Sequence, residues 1–187
     1  MQKAHTKLRP GVLLAASGSL LDPNFARSVV LVCTHDDDGS FGLTLNQPLD
    51  LSLSDGIKSL DGWDAPLFRG GPVQENSLHV VHQLADIDIG SEEILPGVFW
   101  GGDIDALLAL LSKKRALVNK CRFFVGYSGW GKNQLATEID QDSWYISDAD
   151  QGLVFYDDPA NHWRALFETM GPEYRVLANF PDDPSLN

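Results

Sequence analysis

The stretch Arg122–Ile139, R-F-F-V-G-Y-S-G-W-G-K-N-Q-L-A-T-E-I, decides how the rest of the chain is read. Phe123, Phe124 and Val125 form a short apolar run of strand-favouring side chains. Gly126, Gly129 and Gly131 interrupt it, and Leu135 and Ile139 then follow at i, i+4 spacing beside Gln134 and Glu138. This pattern predicts a buried strand, a glycine-punctuated turn and a helix. Glycine permits positive φ and lets a backbone or a ligand approach closely. Such a unit also aims backbone N–H groups outward at a helix N-terminus, where an anion can sit. Tyr127 and Trp130 are expected to anchor the turn. A β-branched residue at Gly129 is expected to be strained if that glycine holds a positive φ.

On the N-terminal side, Val12–Ala16 reads as a first core strand. Lys3, Lys7 and Arg9 ahead of it imitate a signal peptide, but the five-residue apolar run is shorter than the roughly 7–15 residues of a secretory core. Ser28–Thr34 is a continuous β-branched run, hence a strand buried on both faces. The acidic turn His35–Ser40 and the apolar Phe41–Leu45 complete a hairpin near 28–45. A calcium loop would need a glutamate where Gln47-Pro48 stands, so the acidic turn reads as a solvated hairpin tip. Leu53, Ile57 and Leu60 suggest a short helix over 52–60, ended by Gly62, and Pro66–Arg69 a short strand. Leu78–Leu84 reads as a strand, which puts His79 and His82 on opposite faces as surface and half-buried side chains and argues against a shared metal.

Asp103 is a good N-cap for a helix carrying Ile104, Leu107, Leu108 and Leu111, closed by Lys113-Lys114-Arg115 on its negative end. Ser143–Ile146 reads as a strand. Asp158-Pro159 opens a helix with Trp163, Leu166, Phe167 and Met170 on one face, and Gly171-Pro172 stops it. The fold class expected is α/β bordering on α+β: one compact domain over 1–187, a mixed β-sheet surrounded by helices, with 1–10 and 181–187 frayed.

Composition narrows function more by exclusion than by assignment. The 187 residues suit one domain, and a domain this long buries about 70% of the surface its unfolded chain exposes. Fourteen Lys and Arg stand against 26 Asp and Glu, a formal net charge of −12, which opposes approach to phosphate backbones and anionic lipid. There is no basic stripe and no helix-turn-helix pattern, so no direct nucleic-acid partner is expected. No segment approaches the roughly 20 apolar residues of a membrane span, and the expected location is cytoplasmic with no membrane partner. Cys33 and Cys121 each lie inside an apolar run without metal-type neighbours and read as buried reduced thiols.

The chemical motifs are near misses. Gly126-Tyr127-Ser128 stands where a nucleophile elbow would, but the second glycine of G-x-S-x-G falls at Trp130, and the one downstream histidine, His162, sits off the apolar stripe of its helix or near its start. Gly126 to Lys132 has the G-x-x-x-x-G-K spacing of a phosphate loop, but Asn133 replaces the Ser or Thr that would hold magnesium. The loop retains the capacity to cradle an oxyanion.

Five segments in order carry a family resemblance: D-P-N-F-A-R (Asp22–Arg27), L-N-Q-P (Leu45–Pro48), R-G-G-P-V (Arg69–Val73), G-G-D (Gly101–Asp103) and G-Y-S-G-W-G-K-N-Q-L (Gly126–Leu135). Together they resemble the YqgE/AlgH family of small bacterial proteins, from about Gly11 to Phe180. The resemblance implies one compact domain with a mixed sheet. It brings the family label of transcriptional regulator but no catalytic residues. The leading expectation is a non-enzymatic binding or regulatory domain with a protein or small-molecule partner and no cofactor. The alternative is an enzyme or small-anion binder with its site in the glycine loops around 70, 101 and 129. Its candidate residues are Arg27, Arg69, Gly70, Gly71, Gly129, Trp130, Gly131 and Lys132, with Glu75 as a further acid or base.

Overall fold

A computed structural model describes residues 7–56 and 65–179. Of the segments expected to fray, 1–10 and 181–187, residues 1–6 and 181–187 lie outside the described residues, as do 57–60 of the helix expected over 52–60; within 7–10, Arg9 pairs with Asp148 at 2.9 Å. The spine is β9 (Cys121–Gly131), an 11-residue strand. Along 121–127 one of its edges pairs antiparallel with β6 (Val73–His82). Its other edge is shared. Phe123–Val125 pairs in parallel with β5 (Pro66–Arg69), and Ser128–Gly131 pairs antiparallel with β3 (Gly39–Thr44). The sheet is therefore mixed, and it stays open.

From β3 the order continues through β2 (Val29–Asp36) and β1 (Leu13–Ala16) to an edge at β10 (Trp144–Ser147). From β6 it continues through β8 (Val98–Trp100) to the opposite edge at β7 (Glu92–Leu95). A short β4 (Pro48–Ser52) pairs with β5 and leads into the turn α1 (Leu53–Gly56). The hairpin of β2 and β3 and the strand character of β1, β5, β6 and β10 follow the sequence expectations. The strands β4 and β7 do not: Leu49 and Leu51 of β4 alternate with Asp50 and Ser52 but run straight into the helical spacing expected over 52–60, and Glu92-Glu93-Ile94-Leu95 of β7 does not alternate.

Alternation divides the core. One face of the sheet carries Leu13, Ala15, Leu31, Leu43 and Phe124 under Trp163, Leu166 and Phe167 of α5 (Pro159–Met170), which follows the short α4 (Gln151–Val154). The opposite face carries Val12, Leu14, Val30 and Trp130 under Leu135 of α3 (Gln134–Asp140). Further along, Leu67, Val80 and Phe123 pack under Leu107 and Leu111 of α2 (Ile104–Lys113). Neighbours such as Phe123 and Phe124 thus serve different layers, as period-2 geometry requires. Asp103 caps α2 by accepting from the Ala106 N–H at 3.0 Å, and Asp158 caps α5 ahead of Pro159. Trp163 locks α5 to the sheet by donating to the Ala16 carbonyl at 2.8 Å.

The organising stretch departs from its reading. Residues 126–131 are not a glycine loop but the second half of β9. Ser128 and Trp130 are buried while Gly129 and Gly131 are exposed, the alternation of a half-buried strand. Pairing with Gly39–Gly42 of β3 outweighs the low strand propensity of glycine. The helix begins only at Gln134, behind Asn133 in the left-handed region at φ 60° with no side-chain cap. Positive φ falls at Gly126 (69°), not at Gly129. Gly126 is where the edge of β9 passes from β5 to β3.

Candidate functional site

Four of the five motifs meet around Gly126. In the turn Asp22-Pro23-Asn24, Asp22 Oδ1 accepts from the Asn24 N–H at 2.9 Å and from Asn24 Nδ2 at 3.0 Å. This aims Asn24 Oδ1 at Arg69, whose Nη1 donates to it at 3.1 Å. Arg69 also donates through Nε and Nη2 to Glu75 Oε1 at 3.1 and 2.6 Å. Gln47 Nε2 donates to the Asn24 carbonyl, and the Gln47 carbonyl accepts from the Arg69 N–H at 2.8 Å. Asn46 reads both sides of β2's start: Oδ1 accepts from the Val29 N–H and Nδ2 donates to the Arg27 carbonyl, each at 2.9 Å. Arg27 itself lies at φ 52° with its guanidinium 4.8 Å from the centre of the Trp163 ring, a cation–π contact.

The Gly70-Gly71 crossing sits against β9. The Gly70 N–H donates to the Val125 carbonyl at 2.8 Å, and the Gly70 carbonyl accepts from the Thr44 N–H at 2.8 Å and from Ser128 Oγ at 3.1 Å. A side chain at Gly71 would overlap the Tyr127 backbone, and one at Gly70 the Gly126 carbonyl. Ser128 is fully buried with Thr44 Oγ1 at 3.4 Å, so its hydroxyl ties two strands together rather than facing a substrate.

The structure brings Arg69, Gly70 and Gly71 together, with Glu75 beside them. Gly71 packs against the Tyr127–Ser128 backbone next to Gly129, while Trp130, Gly131 and Lys132 continue along the β3 side of β9 with other neighbours. Trp130 is buried, and its Nε1 donates to Glu138 Oε2 at 2.9 Å; Trp144 Nε1 donates to the same oxygen at 2.8 Å. The Gly131 N–H is taken by Gln134 Oε1 at 3.0 Å. Lys132 is exposed. Gly101-Gly102-Asp103 serves a different end of the sheet, where Gly102 packs against Ile89 and Asp103 caps α2. His79 and His82 do lie on opposite faces, His79 against Phe41 and Tyr127 and His82 stacked on Phe99 at 5.5 Å. His82 is fully buried, not a surface or half-buried side chain.

Sequence reasoning missed a second constellation. Arg122, on the floor of a cleft of about 700 Å³ that Asp157 also lines, donates to the carbonyls of Val154 and Tyr156 at 3.0 Å each. Burial draws its pKa down, and Asp157 opposes that shift. His162 is fully buried, although its sequence position suggested a face away from the core, and it stacks on Tyr156 at 5.0 Å. Burial first, and the Arg122 charge second, push its pKa down to about 4. The Leu153 backbone pulls the other way, but neither ring nitrogen meets a hydrogen-bond partner, so burial dominates. The signal that could have found this pair is a charged residue opening an otherwise apolar strand at Arg122. Cys33 is buried as expected, whereas Cys121 is half-buried, and burial raises its pKa to about 12. Both are free thiols of low reactivity.

Among the described residues no helix is long and apolar enough to cross a membrane. The chain matches the AlgH-like family over residues 12–175. It is 44% identical over 181 residues to a UPF0301 protein of Chlorobium limicola, spanning 97% of each chain. It is 42% identical over 180 residues to one from Chlorobaculum tepidum, spanning 96% of each. Two solved structures are similar. The solution structure of AlgH from Pseudomonas aeruginosa has a TM-score of 0.73 and 25% identity, with 98% of this chain and all of that one covered. A Corynebacterium diphtheriae protein has a TM-score of 0.79 at 23% identity, with 96% and 95% covered, a likeness of fold. Four motifs interlocked at one junction, a shared fold and full-length relatives place this chain in the AlgH-like UPF0301 family.

Proposed function

We propose that this protein is a non-enzymatic binding domain that regulates through a protein partner. The observation that carries the reading is the condition of the motif side chains. Ser128, Asn46, Asn24 and Arg69 are each held by internal partners, so the junction acts as a scaffold that fixes the sheet and leaves recognition to its periphery. The acidic balance of 26 to 14 weighs against DNA as that partner. The test is selection of peptides from a random display library on the immobilised, folded chain, followed by calorimetry. Enriched peptides with saturable isotherms, equally strong on Ser128→Ala, are expected. No enrichment, together with stoichiometric fluorophosphonate labelling lost in Ser128→Ala, would overturn it. So would saturable amide shifts confined to 126–134 on phosphate titration, which would favour a small-anion site there.

A further inference from the structure

The two ends of the sheet are guarded differently. At β7 the outermost strand carries the exposed carboxylates of Glu92 and Glu93, and its pairing with β8 slips between Glu93 and Leu95. Charge and irregularity are the usual protection of an exposed edge. The opposite edge, β10, is W-Y-I-S, uncharged and regularly paired with β1 at all four positions. The Ser17 N–H donates to the Ser143 carbonyl, and the Ala16 N–H turns to Ser28 in the other direction. The alternation of an antiparallel ladder therefore points the main-chain N–H and C=O groups of Trp144 and Ile146 away from β1. Among the described residues β10 pairs with no second strand; Trp144 is buried and Ile146 half-buried, so the accessible part of the edge is at Ile146.

This edge forms the floor of a groove of about 820 Å³. Ile139 and Met170 supply apolar surface on its two sides, and Asp140, Asp142 and Glu173 line it with negative charge. Asp148 in the same groove pairs with Arg9 at 2.9 Å, so a cation already seats there. Asp140 is the last residue of α3, and no basic residue occupies that helix's last turn. A helix C-terminus prefers cations, so acids there run against local stability, the kind of departure found at functional positions.

We propose that the outer edge of β10 docks an extended segment of a partner protein bearing lysine or arginine, which adds to the sheet as a further strand. This rests on the binding-domain reading and names the partner's chemistry. Main-chain bonds centred on Ile146 supply pairing, and alternate side chains reach the apolar and the acidic parts of the groove. Charge makes the choice: an acidic strand meets like charge on the groove walls.

The test uses three nine-residue capped peptides on the full chain: one alternating lysine with valine, its glutamate counterpart, and the lysine peptide N-methylated at every second residue. The lysine peptide is expected to shift the Trp144–Ser147 amides saturably. The other two should bind at least about tenfold more weakly, the effect of losing one or two hydrogen bonds or the charge match. Ile146→Pro should lower affinity similarly while keeping amide dispersion, because the lost N–H faces away from β1. If that variant unfolds, the N-methylated peptide on the unaltered chain still decides. Equal binding of the N-methylated peptide, shifts elsewhere, or no binding of the lysine peptide would overturn the proposal. Concentration-dependent dimerisation abolished by Ile146→Pro would also overturn it, by assigning the edge to a second copy. Display-selected peptides that shift residues outside 144–147 would sink the edge alone and leave the binding-domain reading standing. Failure to select any, together with fluorophosphonate labelling lost in Ser128→Ala, would sink that reading itself.

Discussion

Gly126→Ala should be among the most damaging single-methyl additions in this protein. The backbone there lies at φ 69°, which costs an L-residue about 1–2 kcal/mol. The added Cβ would stand 2.5 Å from the Gly71 carbonyl oxygen and 3.1 Å from that of Val73. Both neighbours are backbone, so neither yields by rotating a side chain. Relief needs the Gly70-Gly71 crossing to move off β9, which loosens the bonds from Ser128 Oγ and the Thr44 N–H to the Gly70 carbonyl. Overpacking of this kind adds about 1–3 kcal/mol, for a total of about 2–5 kcal/mol. In a domain of this length about 3 kcal/mol lowers Tm by roughly 6–12 °C. The control is Gly129→Ala. Gly129 is exposed, lacks positive φ, and a Cβ there would meet only side chains, the Tyr127 ring edge at 3.2 Å and Val73 Cγ2 at 4.0 Å, so its cost should stay within about 0.5–1 kcal/mol. Urea titrations followed by circular dichroism and tryptophan fluorescence give both numbers at constant m. A Gly126→Ala midpoint within error of the unaltered chain, or a Gly129→Ala loss as large, would refute the reasoning.

His162 makes stability depend on pH. Its folded pKa of about 4 lies below the ordinary 6.5, so the unfolded chain binds the proton first. Its contribution is complete above about pH 6.5 and is lost as pH falls toward 4, by about 3 kcal/mol at the limit. His162→Leu should flatten that window in a difference plot of denaturation midpoints against pH. Arg122→Met removes the donors to the Val154 and Tyr156 carbonyls and should cost about 2–4 kcal/mol. The same substitution should raise the His162 pKa measured by NMR, since the Arg122 charge lowers it. Glu138→Ala leaves the Trp130 and Trp144 indole N–H groups without their acceptor and should cost about 2–4 kcal/mol, seen as a lower urea midpoint with an altered emission maximum.

Where burial period and capping agreed, the sequence was sufficient. The β-branched run at Val29–Cys33, fully buried, could be little else than a central strand. Asp158-Pro159 with Gly171 marked both ends of α5. The failure at 126–131 is instructive because both readings begin from the same glycines. Local propensity says break. The alternation Ser128-in, Gly129-out, Trp130-in says strand, and long-range pairing with β3 settles it. Of the candidate site, Arg69, Gly70 and Gly71 were legible as a unit because they are adjacent in sequence. That Trp130–Lys132 face β3 rather than this crossing was not legible, since the β5-to-β3 changeover at Gly126 exists only in the folded sheet.

The same limit applies to burial of charge. Arg122 sits in an apolar run where a sequence reader expects a strand end, and His162 sits at the start of an amphipathic helix where solvent is the default. Only the fold puts the guanidinium against the Phe68 ring at 4.8 Å and presses the imidazole onto Tyr156. Edge strands are the extreme case. Nothing in W-Y-I-S distinguishes a strand paired on both sides from one paired on a single side, because the missing neighbour is a property of topology. An edge that carries no charge, no slip and no second strand in the described residues is therefore the feature that sequence analysis is least able to find. That is why the proposed docking edge has no counterpart among the sequence expectations.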